Sequence, residues 1–304
     1  MRIHRAASRW LASVLFLLVA SAAGTPASAQ RSYTLPAPDL HLQQGLTGIL
    51  NEAPFRSLIQ ARRLSVALVD ITDVDNVRYA GYDADRMRYA ASLPKIGILL
   101  GVFDAVERGR MRYTPELRGR LELMIRNSDN KTSSDMIRLV GFQNIARALQ
   151  DPRYLLYDPD RRGGIWVGRG FGSGVGLWRR DPLASISHGA TARQAARFFV
   201  MLERGELVSP QYSAEMKEIL AEPRIHHKFV LGLENAHPDS EMYRKSGTWQ
   251  NYHADAMLVE RDGRTYVAVA LLESPTNSSG GVLASLIVRL DNLIFDSRGA
   301  PADQ

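Results

Sequence analysis

The amino-acid sequence predicts an α+β fold, in which helices pack on a five-stranded antiparallel sheet and further helices form a second lobe. A run rich in β-branched and aliphatic residues lies early in the chain, at 64–71, and 77–82 is predicted to be its hairpin partner. Three more strands are predicted near the end of the chain, at 242–248, 253–260 and 264–273, as a meander. Helical patterns fill the long segment between the two groups and flank the whole series, so the strands can join into one sheet.

The predicted helices have apolar residues at intervals of three or four positions, the spacing of one helix face. They are expected at 40–60, 94–107, 115–126, 131–140, 191–203 and 282–295. Gly109 follows the second of them as a stop signal. Asp262 and Gly263 predict a two-residue turn between the last two strands.

Residues 1–29 have the pattern of a secretory signal peptide. Three arginines precede an apolar run at 11–20, and Ala27, Ser28 and Ala29 form a small-residue cleavage site. The run is short for a membrane span, and no second run of that length follows. We therefore expect a periplasmic or secreted protein without a membrane anchor. Residues 30–304 are expected to form a single domain, with an α/β lobe at about 40–90 and 205–304 and a helical lobe at about 91–204.

Charge and cysteine content exclude some classes of protein. Removal of the three arginines of the signal segment lowers the net charge from +6 to +3, which does not argue for a nucleic-acid partner. The chain has no cysteine, so it relies on its core rather than on disulfides. We expect a monomer.

Ser92 and Lys95 form an S-x-x-K motif at the start of the helix predicted at 94–107. Three positions are nearly one helical turn, so both side chains can point to one side. Pro94 suits a first turn, because its missing N–H would be unsatisfied there in any case. The pair is a nucleophile with its base, or a helix cap followed by a surface lysine. The motif alone does not decide between the two.

Two further motifs follow in the chain. Ser128-Asp129-Asn130 lies between two helical patterns, and Lys245-Ser246-Gly247 lies on the first C-terminal strand. Taken singly, these are also explained by loop capping and by a solvated strand lysine. In the order S-x-x-K, S-D-N, K-S-G, the sequence resembles the class A β-lactamases and the related D,D-peptidases, the penicillin-recognising serine enzymes. The resemblance covers about residues 40–296 and implies their two-lobed fold.

The resemblance implies four catalytic residues. Ser92 would be the nucleophile and Lys95 its base or proton relay. Ser128 would pass a proton to the leaving nitrogen. Lys245 would supply positive potential for a substrate carboxylate. For the lysine to act as a base, its pKa must be lowered by burial or by cationic neighbours.

The resemblance also implies a substrate-binding set. Asn130 would hydrogen-bond the substrate and hold the base, and Ser246 would bind its carboxylate. Gly247 would let the strand approach closely. The backbone N–H of Thr248, with that of the nucleophile, would form the oxyanion hole. His253 stands where related enzymes often place an arginine, and it would bind the carboxylate if protonated; an ordinary strand histidine is the alternative.

The sequence departs from the class A pattern in the loop that supplies a deacylating glutamate. No glutamate occurs between positions 122 and 203. Asp158 and Asp160 are the carboxylates in about the right place. Turn chemistry around Pro159 is the alternative explanation for both, and it is preferred. His188 is another candidate base or a helix-entry residue.

Ser128 follows Ser92 by only 36 positions, which predicts a more open cleft than is usual in class A enzymes. The glycine-rich segment 163–176 is expected to replace part of the missing wall as a flexible rim that carries Trp166, Phe171 and Trp178.

The resemblance implies a serine hydrolase that acts on a small β-lactam or a peptidoglycan-derived amide through an acyl-enzyme, with slow deacylation. A D,D-peptidase and a β-lactam-binding protein without turnover are the alternatives. No cofactor is expected. No metal is expected either, because the adjacent His226 and His227 point apart and no metal-ligand spacing is present.

Overall fold

The computed structural model describes residues 32–160, 162–172, 175–274 and 280–296. The predicted signal peptide at 1–29 lies outside these residues. Five strands form one antiparallel sheet in the order β2-β1-β10-β9-β8, as the sequence predicts. Their bounds are β1 Leu64–Asp70, β2 Arg78–Tyr82, β8 Glu241–Trp249, β9 Tyr252–Arg261 and β10 Arg264–Glu273. Strand β8 lies at one edge, so one side of its backbone is open to other elements.

The helices of the described residues are α1 Leu40–Leu50, α2 Phe55–Gln60, α3 Lys95–Glu107, α4 Pro115–Arg126, α5 Asn130–Val140, α6 Phe142–Gln150, α7 Ala192–Glu203, α8 Pro210–Leu220, α9 Phe229–Ala236 and α10 Gly280–Asp296. The helix predicted over 40–60 is wrong as one element, because Pro54 has no N–H to continue it and α1 and α2 are separate. Helices α6, α8 and α9 were not predicted. Within the described part of the chain, no helix is long and apolar enough to cross a membrane.

Short strands connect the helices to the sheet region. They are β3 Arg88–Tyr89, β4 Tyr157–Asp158, β5 Gly163–Gly164, β6 Trp166–Val167 and β7 His188–Ala190. Strand β7 pairs with both β3 and β6, whereas β4 pairs with β5. Segments of two or three residues are too short to show a period, which is why the sequence does not predict them.

The two faces of the sheet belong to two hydrophobic clusters. Val66 and Leu68 pack with α1, α9 and α10 on one face, whereas Ala67 and Val69 pack on the other face into the cluster that includes α3–α8. Alternate side chains of a strand point to opposite faces, so a strand buried on both faces reads as a continuous apolar run. Every residue of β1 is buried. The cluster that includes α3–α8 packs α3 against α5 and α4 against the edge strand β8.

Candidate active site

Ser92 lies in a tight turn between β3 and α3. Ala91 has φ +54°, in the left-handed region that residues other than glycine rarely adopt. The Ser92 N–H donates to Ala90 O at 2.7 Å, and the Ala90 N–H donates to His188 O at 2.8 Å, which joins the turn to β7. Helix α3 has Pro94 as its N-cap and no side-chain capping bond. Ser92 is therefore not a helix cap.

Lys95 is completely buried. Its Nζ donates to Ser128 O at 2.5 Å and to Asn130 Oδ1 at 2.9 Å, and it lies 4.7 Å from the centroid of the Phe171 ring. Burial lowers the pKa of Lys95 to about 7, and the negative charge of Asp129 offsets only part of this shift. Much of this side chain is a neutral amine at neutral pH, the form that can accept a proton. The surface-lysine alternative is wrong.

Ser128 immediately precedes helix α5. Its φ is +55°, and Asp129 caps the helix by accepting a hydrogen bond from the Thr132 N–H at 2.6 Å. Asn130 is the first helical residue and lines the neighbouring cavity. Helix capping therefore accounts for Asp129 of the S-D-N motif, whereas Ser128 and Asn130 both contact Lys95.

Lys245 is buried at the edge of the sheet, with 1% of its surface exposed. Its Nζ donates to Ser128 Oγ at 2.9 Å and to Ser246 O at 2.8 Å. Burial holds the pKa of Lys245 well below its usual range, and the positive charge of Lys95 adds to this shift. The same Ser128 hydroxyl lies 3.3 Å from Lys95 Nζ. A solvated strand lysine is thus excluded, and the two lysines share one hydroxyl.

Strand β8 brings its backbone against the turn that carries Ser92. A Cβ added to Gly247 would lie 2.1 Å from Ala90 O and 2.6 Å from Ser92 N. Only glycine fits this approach. The next residue, Thr248, lines the cavity. His227 Nε2 lies 3.4 Å from the hydroxyl of Ser246 on the same strand.

A cavity of about 570 Å³ lies between these elements. It is lined by Tyr89, Ala91, Ser92, Asn130, Arg169, Gly170, Phe171, Gly172, Ile186, Ser187, His188, Thr248, Trp249 and Tyr252. Ser92, Asn130 and Thr248 line it directly. Lys95 and Lys245 do not line it, but Lys95 bonds Asn130 of its lining, and Lys245 is linked to Lys95 through the Ser128 hydroxyl. Trp249 is 56% exposed, so an aromatic surface is available to a bound molecule.

His253 does not join this group. It pairs with Thr248 across the β8–β9 ladder, its side chain is buried, and neither ring nitrogen has a hydrogen-bond partner. Burial lowers the pKa of His253 to about 4, with a further contribution from the positive charge of Lys228. The imidazole is therefore neutral at neutral pH, which does not favour a role as a charged partner for a carboxylate.

Asp158 and Asp160 also lie away from the cavity lining. Asp158 ends β4, opposite Gly163 of β5, and the Asp160 N–H donates to Asp158 Oδ1 at 2.9 Å. This bond is the turn chemistry that the sequence suggested as the alternative. Neither carboxylate is among the residues that face Ser92.

The glycine-rich segment does not form the expected rim as a whole. Trp166 is buried and Trp178 stacks on it, with ring centroids 5.8 Å apart. Phe171 does line the cavity, and both its backbone N–H and its C=O are bonded to the Ser134 hydroxyl, at 3.0 and 2.7 Å. The prediction is thus wrong for the two tryptophans: Trp166 packs inward, Trp178 is half-buried between Trp166 and Phe142, and neither lines the cavity.

His188 was not expected on a strand beside the cavity. Its Nε2 lies 2.9 Å from Arg169 O, a carbonyl that can only accept, so Nε2 carries the proton. Burial lowers the pKa of His188 to about 4. The imidazole is therefore neutral. Its ring lies 4.3 Å from that of Phe171.

Arg244, on β8, and Lys228, behind that strand, are buried residues that the motifs did not indicate. Arg244 forms a two-pronged ion pair with Asp255, with Nε–Oδ1 and Nη2–Oδ2 distances of 2.7 Å. It also donates to Ile225 O and His227 O. The only sequence signal for Lys228 was its position after two histidines, which does not distinguish a surface residue from a buried one.

Comparisons with known proteins agree with this geometry. They concern the family and the fold: a family model described as the beta-lactamase enzyme family matches residues 113–290. No curated protein matches in sequence. Among solved structures, PBP-A has a TM-score of 0.63 at 20% identity, covering 86% of this chain and 99% of its own. A beta-lactamase from Chitinophaga pinensis has a TM-score of 0.61 at 16% identity, covering 84% and 98%. A variant of the last common ancestor of Gram-negative bacteria class A beta-lactamase has a TM-score of 0.62 at 18% identity, covering 84% and 98%. The predicted fold is confirmed.

Proposed function

The chain belongs to the beta-lactamase enzyme family, and we propose that it is a serine hydrolase that forms an acyl-enzyme on Ser92. One observation carries this proposal. Lys95, Ser128 and Lys245 form a continuous hydrogen-bonded series beside the cavity that Ser92 lines. A serine hydroxyl needs a base close by, and a lysine serves as one only when its pKa is lowered. The pKa of about 7 at Lys95 meets that requirement.

In the proposed acylation, neutral Lys95 takes the proton of Ser92 Oγ as that oxygen bonds to the substrate carbonyl carbon. The N–H groups of Ser92 and Thr248 stabilise the oxyanion, and the Ser92 N–H gives up its bond to Ala90 O to do so. The carbon–nitrogen bond then breaks. Ser128 gives its proton to the leaving nitrogen and recovers one from Lys95, 3.3 Å away. Lys245 supplies positive potential for a substrate carboxylate, which in turn favours its charged form.

We propose that deacylation is slow. Hydrolysis of the ester needs a base to activate water, a contribution of about 10²- to 10⁴-fold. Lys95 faces the ring of Phe171 on one side, and the Ser134 hydroxyl fixes the backbone of that phenylalanine. Asp158 and Asp160 lie outside the cavity lining. Among the described residues, no glutamate lines this cavity.

The substrate we favour is a β-lactam, with its carboxylate toward Lys245 and its acyl substituent toward Trp249. The lack of a glutamate also suits two other functions, a D,D-peptidase that acts on peptidoglycan stem peptides and a β-lactam-binding protein without turnover. We place the protein in the periplasm or outside the cell on the basis of the pattern at 1–29, and we expect it to act as a monomer.

A labelling experiment tests the proposal. The protein is incubated with a fluorescent penicillin, and the adduct is mapped by mass spectrometry in wild type and in Ser92→Ala. We expect one adduct, on Ser92, that the variant lacks. Labelling of another serine, or equal labelling of the variant, contradicts the assignment. Two activity assays then separate the three functions. Nitrocefin hydrolysis alone indicates a β-lactamase, and D-Ala release from a stem peptide alone indicates a D,D-peptidase. Stable labelling with neither activity indicates a β-lactam-binding protein.

A further inference from the structure

Lys228 is a buried cation directly behind the strand that faces the cavity. Only 1% of its surface is exposed, and its Nζ donates to Gly247 O at 2.6 Å, to Thr248 Oγ1 at 2.9 Å and to Ala254 O at 3.3 Å. All three acceptors are uncharged. Among the described residues, no carboxylate lies within ion-pair distance of this ammonium group. The backbone φ of Lys228 is +54°, which is rare for a residue with a side chain, so the contacts of Lys228 hold this conformation in place.

The bond to Gly247 O acts on the peptide group that carries the Thr248 N–H. In a trans peptide the C=O and the N–H are conjugated and point in opposite directions. Because the carbonyl of Gly247 points to Lys228 in the interior, the Thr248 N–H points the other way, and Thr248 lines the cavity. A cation on the carbonyl oxygen draws electron density from the nitrogen and makes the N–H a stronger donor.

We propose that Lys228 is a positioning residue that strengthens the oxyanion hole through the Gly247–Thr248 peptide. This inference rests on the proposed function, because it requires an acyl group on Ser92. In a dry interior a fixed charge acts over longer distances than in water, so the ammonium group also contributes directly to the potential at the oxyanion. Its three hydrogen bonds hold it in one place before the substrate arrives.

The charge on Lys228 depends on pH in an accessible range. Burial lowers its pKa to about 8; the negative charge of Asp255 opposes this shift, and the positive charge of Arg244 adds to it. Two other basic groups face it from the neighbouring strands, the neutral His253 of β9 and Lys245 of β8. Lys228 is therefore charged below about pH 8 and neutral above it.

The test measures the infrared stretching frequency of the ester carbonyl on Ser92. The ester is formed with a penicillin that carries carbon-13 at its β-lactam carbonyl, so that its band can be identified. A stronger oxyanion donor lowers the stretching frequency of that carbonyl. In wild type we expect the band to move to higher frequency as the pH rises through about 8. Lys228→Arg should keep the low frequency across this range, because arginine stays charged. Lys228→Met should show the high frequency throughout and acylate about tenfold more slowly below pH 8, less than loss of a whole oxyanion donor.

Lys217→Met is the matched control. Lys217 is a half-buried lysine that bonds Glu203 and Glu260 and does not line the cavity. We expect it to leave the ester band and the acylation rate unchanged. The pH dependence of the ester band in wild type needs no variant, so it tests the inference even if Lys228→Met fails to fold. A wild-type band that does not move with pH overturns the inference while leaving the acyl-enzyme in place. Absence of any Ser92 adduct overturns the proposed function itself, and this inference with it.

Discussion

Lys245 Nζ donates a hydrogen bond to Ser128 Oγ at 2.9 Å, although the two residues are 117 positions apart in the chain. Lys95 Nζ approaches the same hydroxyl, at 3.3 Å. A hydroxyl has two lone pairs and one proton, so it can accept from both lysines and still donate to a third group. Ser128, held by Lys245 of β8 in the loop before α5, thus keeps a proton to give, in the position required for a leaving nitrogen.

Lys245→Ala should slow acylation of Ser92 by about 2–4 kcal/mol, or roughly 30- to 10³-fold, because it removes one charged contact made in the transition state. The measurement is the second-order rate constant for labelling by a fluorescent penicillin. Lys245→Arg should retain part of the rate. Lys131→Ala is the control, since Lys131 is exposed and its ion pair among the described residues is with Asp135. Labelling of Lys245→Ala at the wild-type rate would show that Lys245 has no role in acylation and that the K-S-G motif occurs here by coincidence.

The acylation rate should rise with pH up to about 7. The pKa of Lys95 is lowered to about 7, so below that pH the folded protein holds this side chain mainly as ammonium, which cannot accept a proton from Ser92. The rate should increase about tenfold per pH unit below 7 and level off above it, until Lys228 loses its charge near pH 8. Pre-steady-state labelling at each pH measures this profile. A rate that is constant from about pH 5 to pH 7 would exclude Lys95 as the base.

Hydrolysis of bulky β-lactams should show a burst that approaches one equivalent of enzyme, followed by a slow phase. The ester forms quickly, but its hydrolysis is slow because no dedicated base activates the attacking water. Asp158→Asn and Asp160→Asn should leave both phases unchanged, because these residues are engaged in the β4–β5 turn. Stopped-flow absorbance measures both phases. Fast turnover without a burst, or loss of the slow phase in either variant, contradicts this account.

The sequence predicted the features that depend on local patterns. The sheet strands and the two flanking helical regions have clear periods, and each of the three motifs is contiguous, so Ser92, Ser128 and Lys245 could be singled out directly. What it could not predict were properties that arise from distant contacts. The burial of Lys228 depends on the pairing of β8 with β9, and nothing in its neighbours indicates this.

The region between residues 150 and 190 shows the same limit. Trp166 lies in the glycine-rich segment that the sequence suggested was an exposed rim, and Trp178 follows that segment. Yet Trp166 is buried, because β6 pairs with β7, and Trp178 stacks on its ring. His188 owes its place beside the cavity to a three-residue strand. Such short pairings carry too few residues to give a pattern, and only the folded chain brings them together.

The buried ion pair of Arg244 and Asp255 leads to a prediction about stability. Their side chains are 2% and 0% exposed, and the pair is joined by two bonds of 2.7 Å. Asp255→Asn should lower the free energy of unfolding by about 3–5 kcal/mol, because it leaves the guanidinium buried without an anion. Urea unfolding, with an unchanged dependence on denaturant concentration, measures this loss.

Two further variants separate the pair from a general effect of charge removal. The double variant Arg244→Met, Asp255→Leu should recover much of the loss, since apolar side chains of similar size often replace a buried pair without cost. It should nevertheless acylate slowly, because Arg244 also holds Ile225 O and His227 O and so fixes the segment that carries Lys228. Arg224→Met, which removes an exposed pair with Glu222, should change the free energy of unfolding by less than about 1 kcal/mol. Equal losses in Arg224→Met and Asp255→Asn would show that burial of the Arg244–Asp255 pair has no special effect on stability.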